Sequence, residues 1–252
     1  MEIAWFGHSC FYLRDREVGI ACDPFDRSLG HELPRLQADI VTVSHDHPHH
    51  NHVQAVHGDA KVIDSPGEYE VRSVFVTGIA TYAARRSAGD ETQPQRNIIF
   101  VFEFGGLTVC HLGDLAQVPP QDQVQALNTV DVLLVPVGGG ENSLNAAKAA
   151  EIVSLVEPRL VIPMHYQTGS LPLQLDGVDR FLKEMGVAHS EPVDVLKVSE
   201  ASLPQETQVV VLRSKCGQVA LSAREHDMRS QSGVLEETLQ LAVREDHLRR
   251  AQ

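Results

Sequence analysis

A chain of 252 residues with 42% hydrophobic and 22% charged side chains can bury a large single core, which excludes a disordered or fibrous protein. Its 34 acidic against 21 basic side chains give a formal charge of −13, which disfavours attraction to nucleic acid or an anionic membrane. No segment reaches the ~18 uninterrupted apolar residues of a spanning helix, and no basic stretch leads into a long apolar one at the amino terminus. Four cysteines, Cys10, Cys22, Cys110 and Cys216, lack CxxC spacing and are expected as buried free thiols, so the expected location is the reducing cytoplasm.

In chain order, 3–6, 10–13 and 18–22 are short apolar runs ended by charged residues or glycine, the pattern of an antiparallel meander. Residues 39–44 (DIVTVS) read as a strand that delivers His45-Asp46-His47-Pro48-His49-His50 into a loop. Further short strands are expected over 61–80 around Ser65-Pro66-Gly67, then a polar, breaker-rich loop over 83–97. Runs 98–104 and 107–111 flank Gly105-Gly106 as a hairpin, and Asp114 lies just past the second run. The pattern then alternates: helix 120–127, strand 130–137, helix 143–156, strand 160–164 and helix 176–185. Three strands thereby release His45, Asp114 and His165 at their carboxyl ends, the edge where open α/β sheets place ligands. A Pro-, Ser- and Glu-rich connection over 189–206 leads to a last strand near 208–212. In a carboxy-terminal extension, 214–252, residues 232–249 read as an amphipathic helix that packs on its own domain in preference to a dimer contact, with a homo-oligomer left open.

The i, i+2 spacing of His45 and His47 lets two imidazoles from one turning loop reach a single ion, while His49 and His50 can face a second. Imidazoles with a carboxylate favour Zn²⁺, as one or two ions, with Mn²⁺, Fe and Ni²⁺ also compatible. Such an ion lowers the pKa of a bound water to about 7, so hydrolysis of an ester, lactone, amide or phosphodiester is the natural reaction class. The bland alternative is that a chain with 13 histidines has placed several in a solvated loop; the strand context and the equivalent settings of Asp114 and His165 oppose it.

Several ordered motifs carry a resemblance: Trp5-Phe6-Gly7-His8-Ser9-Cys10, Cys22-Asp23-Pro24-Phe25, the SHDHPHH segment, Pro66-Gly67-Glu68-Tyr69, Cys110-His111-Leu112-Gly113-Asp114-Leu115, Val135-Pro136-Val137-Gly138-Gly139 and Ile162-Pro163-Met164-His165-Tyr166. Over about residues 1–213 the chain resembles the metallo-β-lactamase superfamily, closely its branch of Zn-dependent hydrolases that includes the ascorbate-phosphate lactonase. The resemblance implies an α/β (α+β) fold, a four-layer αββα sandwich. It also implies a signature of HxHxDH, a later His, a bridging Asp and a last His that together hold two metals. His45, His47, His50, Asp114 and His165 match that signature. Two positions depart: His49 stands where the metal-binding Asp is expected, and Ala83 lies where the later His is expected.

The resemblance implies that this Asp ligates one metal and helps orient the attacking water; His49 can still ligate as a neutral imidazole, but it removes one negative charge from the site. The resemblance implies that His8 lies near the metals, where it contacts substrate or completes the coordination; the alternative is a core histidine beside Trp5 and Phe6. His8 and His49 are therefore the candidate catalytic residues, and His45, His47, His49, His50, Asp114 and His165 the candidate metal ligands. Asp23 either orients a ligand histidine or stabilises a turn. Asp46, His52 and His57 read as solvated or helix-capping, Gly138-Gly139-Gly140 as a flexible loop, and Arg85-Arg86 as a surface pair or a binder of an anionic substrate.

The expected function is a metal-dependent hydrolase of a small ester, lactone or phosphorylated substrate, with metal-bound hydroxide as the nucleophile. A phosphodiesterase or nuclease shares the site but is disfavoured by the acidic charge. A non-catalytic member that binds a metal or ligand is the other alternative, and the changes at positions 49 and 83 speak for it.

Overall fold

The structure, a computed structural model, describes residues 1–83, 95–140, 143–169 and 171–216. The expected helix over 232–249 and the Arg85-Arg86 pair lie outside the described residues. Met1–Lys215 forms one compact unit, and the chain divides after it.

The strands are β1 (Glu2–Gly7), β2 (Cys10–Asp15), β3 (Val18–Cys22), β4 (Leu36–Gln37), β5 (Ile40–Thr42), β6 (Val56–His57), β7 (Lys61–Ile63), β8 (Gly67–Val71), β9 (Val74–Tyr82), β10 (Arg96–Glu103), β11 (Thr108–His111), β12 (Val132–Pro136), β13 (Leu160–Met164), β14 (Leu196–Lys197) and β15 (Gln208–Val209). The α-helices of the described residues are α1 (Gln121–Ala126), α2 (Ala146–Val156) and α3 (Val178–Glu184). One sheet has the order β14-β1-β2-β3-β5-β7, a second β15-β13-β12-β11-β10-β9-β8, and β4 and β6 make a two-stranded ribbon. The expected amino-terminal meander is present, because β1, β2 and β3 pair antiparallel in sequence order.

Each sheet changes from antiparallel to parallel pairing part-way across. In the first sheet β3, β5 and β7 run parallel; in the second β11, β12, β13 and β15 do. Parallel strands are buried on both faces and so read as unbroken apolar runs, as in the fully buried Val132–Pro136 and Leu160–Met164. One hydrophobic core joins Trp5, Phe11 and Ile20 of the first sheet to Phe100, Phe102 and Leu134 of the second, which makes a sandwich. Each of these large side chains contributes about 1.5–3 kcal/mol on burial. Helix α2 packs on β12 and against α3.

Two ties cross between the sheets beside the cleft. The Ile98 amide of β10 donates to the Ser44 carbonyl past β5 at 2.8 Å, and His111 Nε2 at the end of β11 donates to the Ser9 carbonyl at 2.9 Å. Buried backbone carbonyls at strand ends are thereby satisfied, and the loops that carry functional side chains are fixed to both halves of the sandwich.

Three local expectations change in detail. Helix α2 starts three residues later than its apolar pattern, because Asn145 caps it by accepting from the Lys148 amide at 3.0 Å. The 189–206 connection contains β14 and a 3-10 turn at Glu200–Ser202, since the edge of β1 recruits Leu196 and Lys197. Arg96 and Asn97 belong to β10 and not to the preceding loop.

Candidate metal centre

His8 and Ser9 make the two-residue connection between β1 and β2, just after a register shift between Trp5 and Gly7. His8 adopts left-handed backbone with φ 51°, as do Asp23 at 45° and His165 at 52°. Such a conformation costs roughly 1–2 kcal/mol for a residue with a Cβ. Three around one cleft indicate side chains held in set directions by their surroundings. The His8 carbonyl accepts from Trp5 Nε1 at 3.0 Å and from the His165 amide at 2.9 Å, so the two histidine turns are pinned together.

The His165 carbonyl in turn accepts from the Gly138 amide at 3.0 Å. A Cβ at residue 138 would lie 2.2 Å from that oxygen, so only glycine lets the two chains approach. The reading of 138–140 as a flexible loop is therefore corrected at Gly138, a buried packing position; Gly139 and Gly140 line the cleft.

Asp23, wholly buried, organises the histidine loop. It accepts from the Ser44 amide at 2.8 Å, from Ser44 Oγ at 2.6 Å and from His50 Nδ1 at 2.8 Å. Because Ser44 gives its only hydroxyl proton to Asp23, it accepts from His45 Nδ1 at 3.1 Å. Both His45 and His50 thus carry their proton on Nδ1 and keep Nε2 unprotonated, the form a metal requires. Burial, then neighbouring imidazoles, push His8 and His50 well below the ordinary histidine pKa of 6.5. Burial also lowers His45, against the pull of Asp114 and Asp23. Burial raises the Asp23 carboxyl, with His111 and the Ser44 hydrogen bonds opposing the shift.

Asp114 is set by Asn97 of β10, whose Oδ1 accepts from the Asp114 amide at 2.9 Å and whose Nδ2 donates to the Leu112 carbonyl at 3.0 Å. Gly113, at φ 62°, packs against both Asn97 and Ser44, which leaves no room for a Cβ. His165 Nε2 lies 3.4 Å from Asp114 Oδ1, an ion-pair distance too long for a strong hydrogen bond.

The donor atoms of His8, His50 and His165 lie within 4.8 Å of one another, and so do those of His45, His50 and Asp114. Ring centroids are 4.0 Å apart for His8–His165, 4.8 Å for His8–His50 and 4.1 Å for His45–His50. Neither group includes His47, which is exposed, or His49. His49 is half-buried on the cleft wall, with Nε2 3.1 Å from Ser28 Oγ and its amide donating to His47 Nδ1 at 3.2 Å. The cleft has a volume of about 660 Å³ and is also bounded by Ser143 and Leu173, Gln174 and Leu175. Ala83 borders a separate small crevice beside Thr81, Asn97 and Asp114.

Asp46 and His57 are exposed, and His52 precedes a 3-10 turn without capping it through its side chain. Ser44, Asn97 and His111, to which the sequence assigned no role, hold the candidate ligands in place. Their only signal was position, one or two residues from a candidate ligand or at a strand end. Leu173, Gln174 and Leu175 carried no signal at all.

The β-lactamase superfamily domain matches residues 2–165. The chain belongs to that superfamily. Among its superfamily relatives, a UPF0173 protein of Pyrococcus furiosus is 31% identical over 185 residues, covering 68% of this chain and 85% of its own. A UPF0173 metal-dependent hydrolase of Desulforamulus reducens is 27% identical over 236 residues, covering 79% of this chain and 98% of its own. A Thermotoga maritima protein of the metallo-β-lactamase superfamily, named as a candidate Zn-dependent hydrolase, superposes with a TM-score of 0.69 at 40% identity, covering 84% of this chain and 97% of that one. This β-lactamase superfamily member is accordingly a metal-dependent hydrolase with the metallo-β-lactamase fold.

Proposed function

We propose that the enzyme hydrolyses a small ester, lactone or phosphorylated substrate in this cleft with the help of Zn²⁺. The observation that carries the reading is a set of buried polar atoms: among the described residues His8 Nδ1, His165 Nδ1 and Asp114 Oδ1 have no hydrogen-bond partner, and all three residues border the same cavity. An unsatisfied buried polar atom costs about 1–3 kcal/mol, so three converging on one space fit a ligand, and imidazole with carboxylate fits Zn²⁺. When bound, the ion supplies an acidified water, with a pKa near 7, and polarises the bond under attack.

The chain's own residues do the rest. Asp23 and Ser44 hold the protons of His50 and His45 on Nδ1, which leaves Nε2 of each available to the ion. Asn97 fixes the backbone of Asp114. Ser143 Oγ, buried on the cleft wall without a partner among the described residues, is placed to hydrogen-bond a substrate carbonyl or hydroxyl. The leucines at 173 and 175 offer apolar contact beside it.

The test is turnover against a panel of lactones, carboxylic esters, phosphomonoesters and phosphodiesters, before and after metal removal and after Zn²⁺ restoration. Turnover of at least one of these classes that vanishes with the metal and returns with Zn²⁺ is expected. Undiminished turnover in metal-free protein, or none against any class after loading, would refute the reading.

A further inference from the structure

The loop that supplies His45, His47 and His50 also contains His49, at the position where the superfamily signature has a metal-binding carboxylate. The His49 ring is engaged elsewhere, against Ser28 Oγ at 3.1 Å, and it joins neither group of clustered donors. A second imidazole, that of His8, lies beside His50 and His165. His8 is 1% exposed, its Nδ1 has no partner, and its ring is 4.0 Å from that of His165 and 4.8 Å from that of His50.

We infer that His8 is a metal ligand in this chain and that, with His50 and His165, it forms a three-imidazole site in place of one using residue 49. The inference rests on the metal-dependent reading of the cleft and assigns which residues hold the ion. Three features support it. The His8 direction is set from outside the ring, because its left-handed backbone and its carbonyl are pinned by Trp5 and by the His165 amide. His8 and His165 each present a buried nitrogen without a partner, whereas a core histidine normally has its ring nitrogens hydrogen-bonded. His50 has only Nε2 left to offer, since Nδ1 is held by Asp23, so it can serve one ion, and the group with His8 and His165 is the wholly buried one.

Zn–N bonds are about 2.0–2.1 Å, so tetrahedral ligands stand about 3.3–3.4 Å apart, and donors within 4.8 Å of one another must draw in by up to about 1.5 Å. Three neutral imidazoles leave a fourth position for water or substrate, with Asp114 3.4 Å from His165 at its edge. A site richer in imidazole and poorer in carboxylate selects Zn²⁺ or Co²⁺ over Mn²⁺.

Zn²⁺ affinity measured by competition with a chromophoric chelator tests the assignment, comparing wild type, His8→Asn and His49→Ala. Asparagine suits the left-handed backbone at residue 8. Loss of a residue that merely orients a ligand weakens affinity about 10–100-fold, so His8→Asn should weaken the tight ion by at least about 100-fold. His49→Ala should leave it unchanged. Strong loss on His49→Ala, or less than about tenfold loss on His8→Asn, overturns the assignment. If His8→Asn does not fold, a crystal structure of Zn²⁺-loaded wild type decides: a His8 nitrogen about 2.1 Å from the ion supports it, and an uncoordinated His8 overturns it. Wild type that binds no ion removes the metal reading as a whole; an ion held without His8 removes only this assignment.

Discussion

Asp23→Asn isolates what a single buried carboxylate does for the centre. The native oxygens accept three hydrogen bonds, from the Ser44 amide, Ser44 Oγ and His50 Nδ1. An asparagine of the same size can still accept from the Ser44 amide through Oδ1, but its NH₂ then faces His50 Nδ1 and must donate to it. The His50 proton is driven to Nε2, the nitrogen that would bind metal. Losing such an orienting partner costs 10–100-fold in metal affinity, about 1.4–2.7 kcal/mol. The fold should suffer separately, because hydrogen bonds to a charged acceptor contribute about 1.5–3 kcal/mol each and at least one becomes a donor–donor clash. Chelator competition gives the first quantity and urea unfolding of the metal-free protein the second. Affinity within about threefold of wild type would mean that Asp23 does not set the His50 tautomer, and the chain of inference from Asp23 to the metal would fail.

Gly138→Ala places a Cβ 2.2 Å from the His165 carbonyl and 2.7 Å from Tyr166 Cα, so it should destabilise the protein by about 1–3 kcal/mol and weaken metal binding together; unchanged unfolding would contradict the close approach. Burial holds His8 and His50 neutral in the fold, with pKa values below 6.5, so the unfolded chain binds more protons at low pH. Stability of the metal-free protein should therefore be complete above about pH 6.5 and fall as pH drops below it, by up to about 1.4 kcal/mol per group per pH unit; urea unfolding that is flat or strengthens towards acid pH would refute this. Ala83→His adds an imidazole at the crevice beside Asp114 and should raise the bound metal by one ion per chain in elemental analysis. An unchanged count would show that residue 83 does not face the ion.

Much of the fold was legible because the strands carry it. A β-branched and aromatic run such as 98–104, bounded by turn residues, favours a strand, and Gly105 and Gly106, both at positive φ, turn the hairpin as their spacing suggested. The delivery of His45, Asp114 and His165 to one edge was also readable, since each follows an apolar strand. What the pattern could not contain was convergence across the chain. His8 meets His165 through a backbone hydrogen bond spanning 157 positions, and nothing near residue 8 specifies that partner. The His49 ring is engaged by Ser28, a residue 21 positions earlier with no motif around it. Gly138 looked like flexible chain because a glycine chosen for close packing and one chosen for freedom are the same letter. Its neighbour across the gap, the His165 carbonyl, exists only in the folded protein.

Elemental analysis of untagged protein after dialysis against a weak chelator, then after Zn²⁺ loading, tests the central claim most directly. The account predicts at least one Zn²⁺ per chain that survives dialysis, together with hydrolytic turnover that follows its occupancy. Protein that holds no ion even after loading, or that turns over substrate equally well without one, would contradict it.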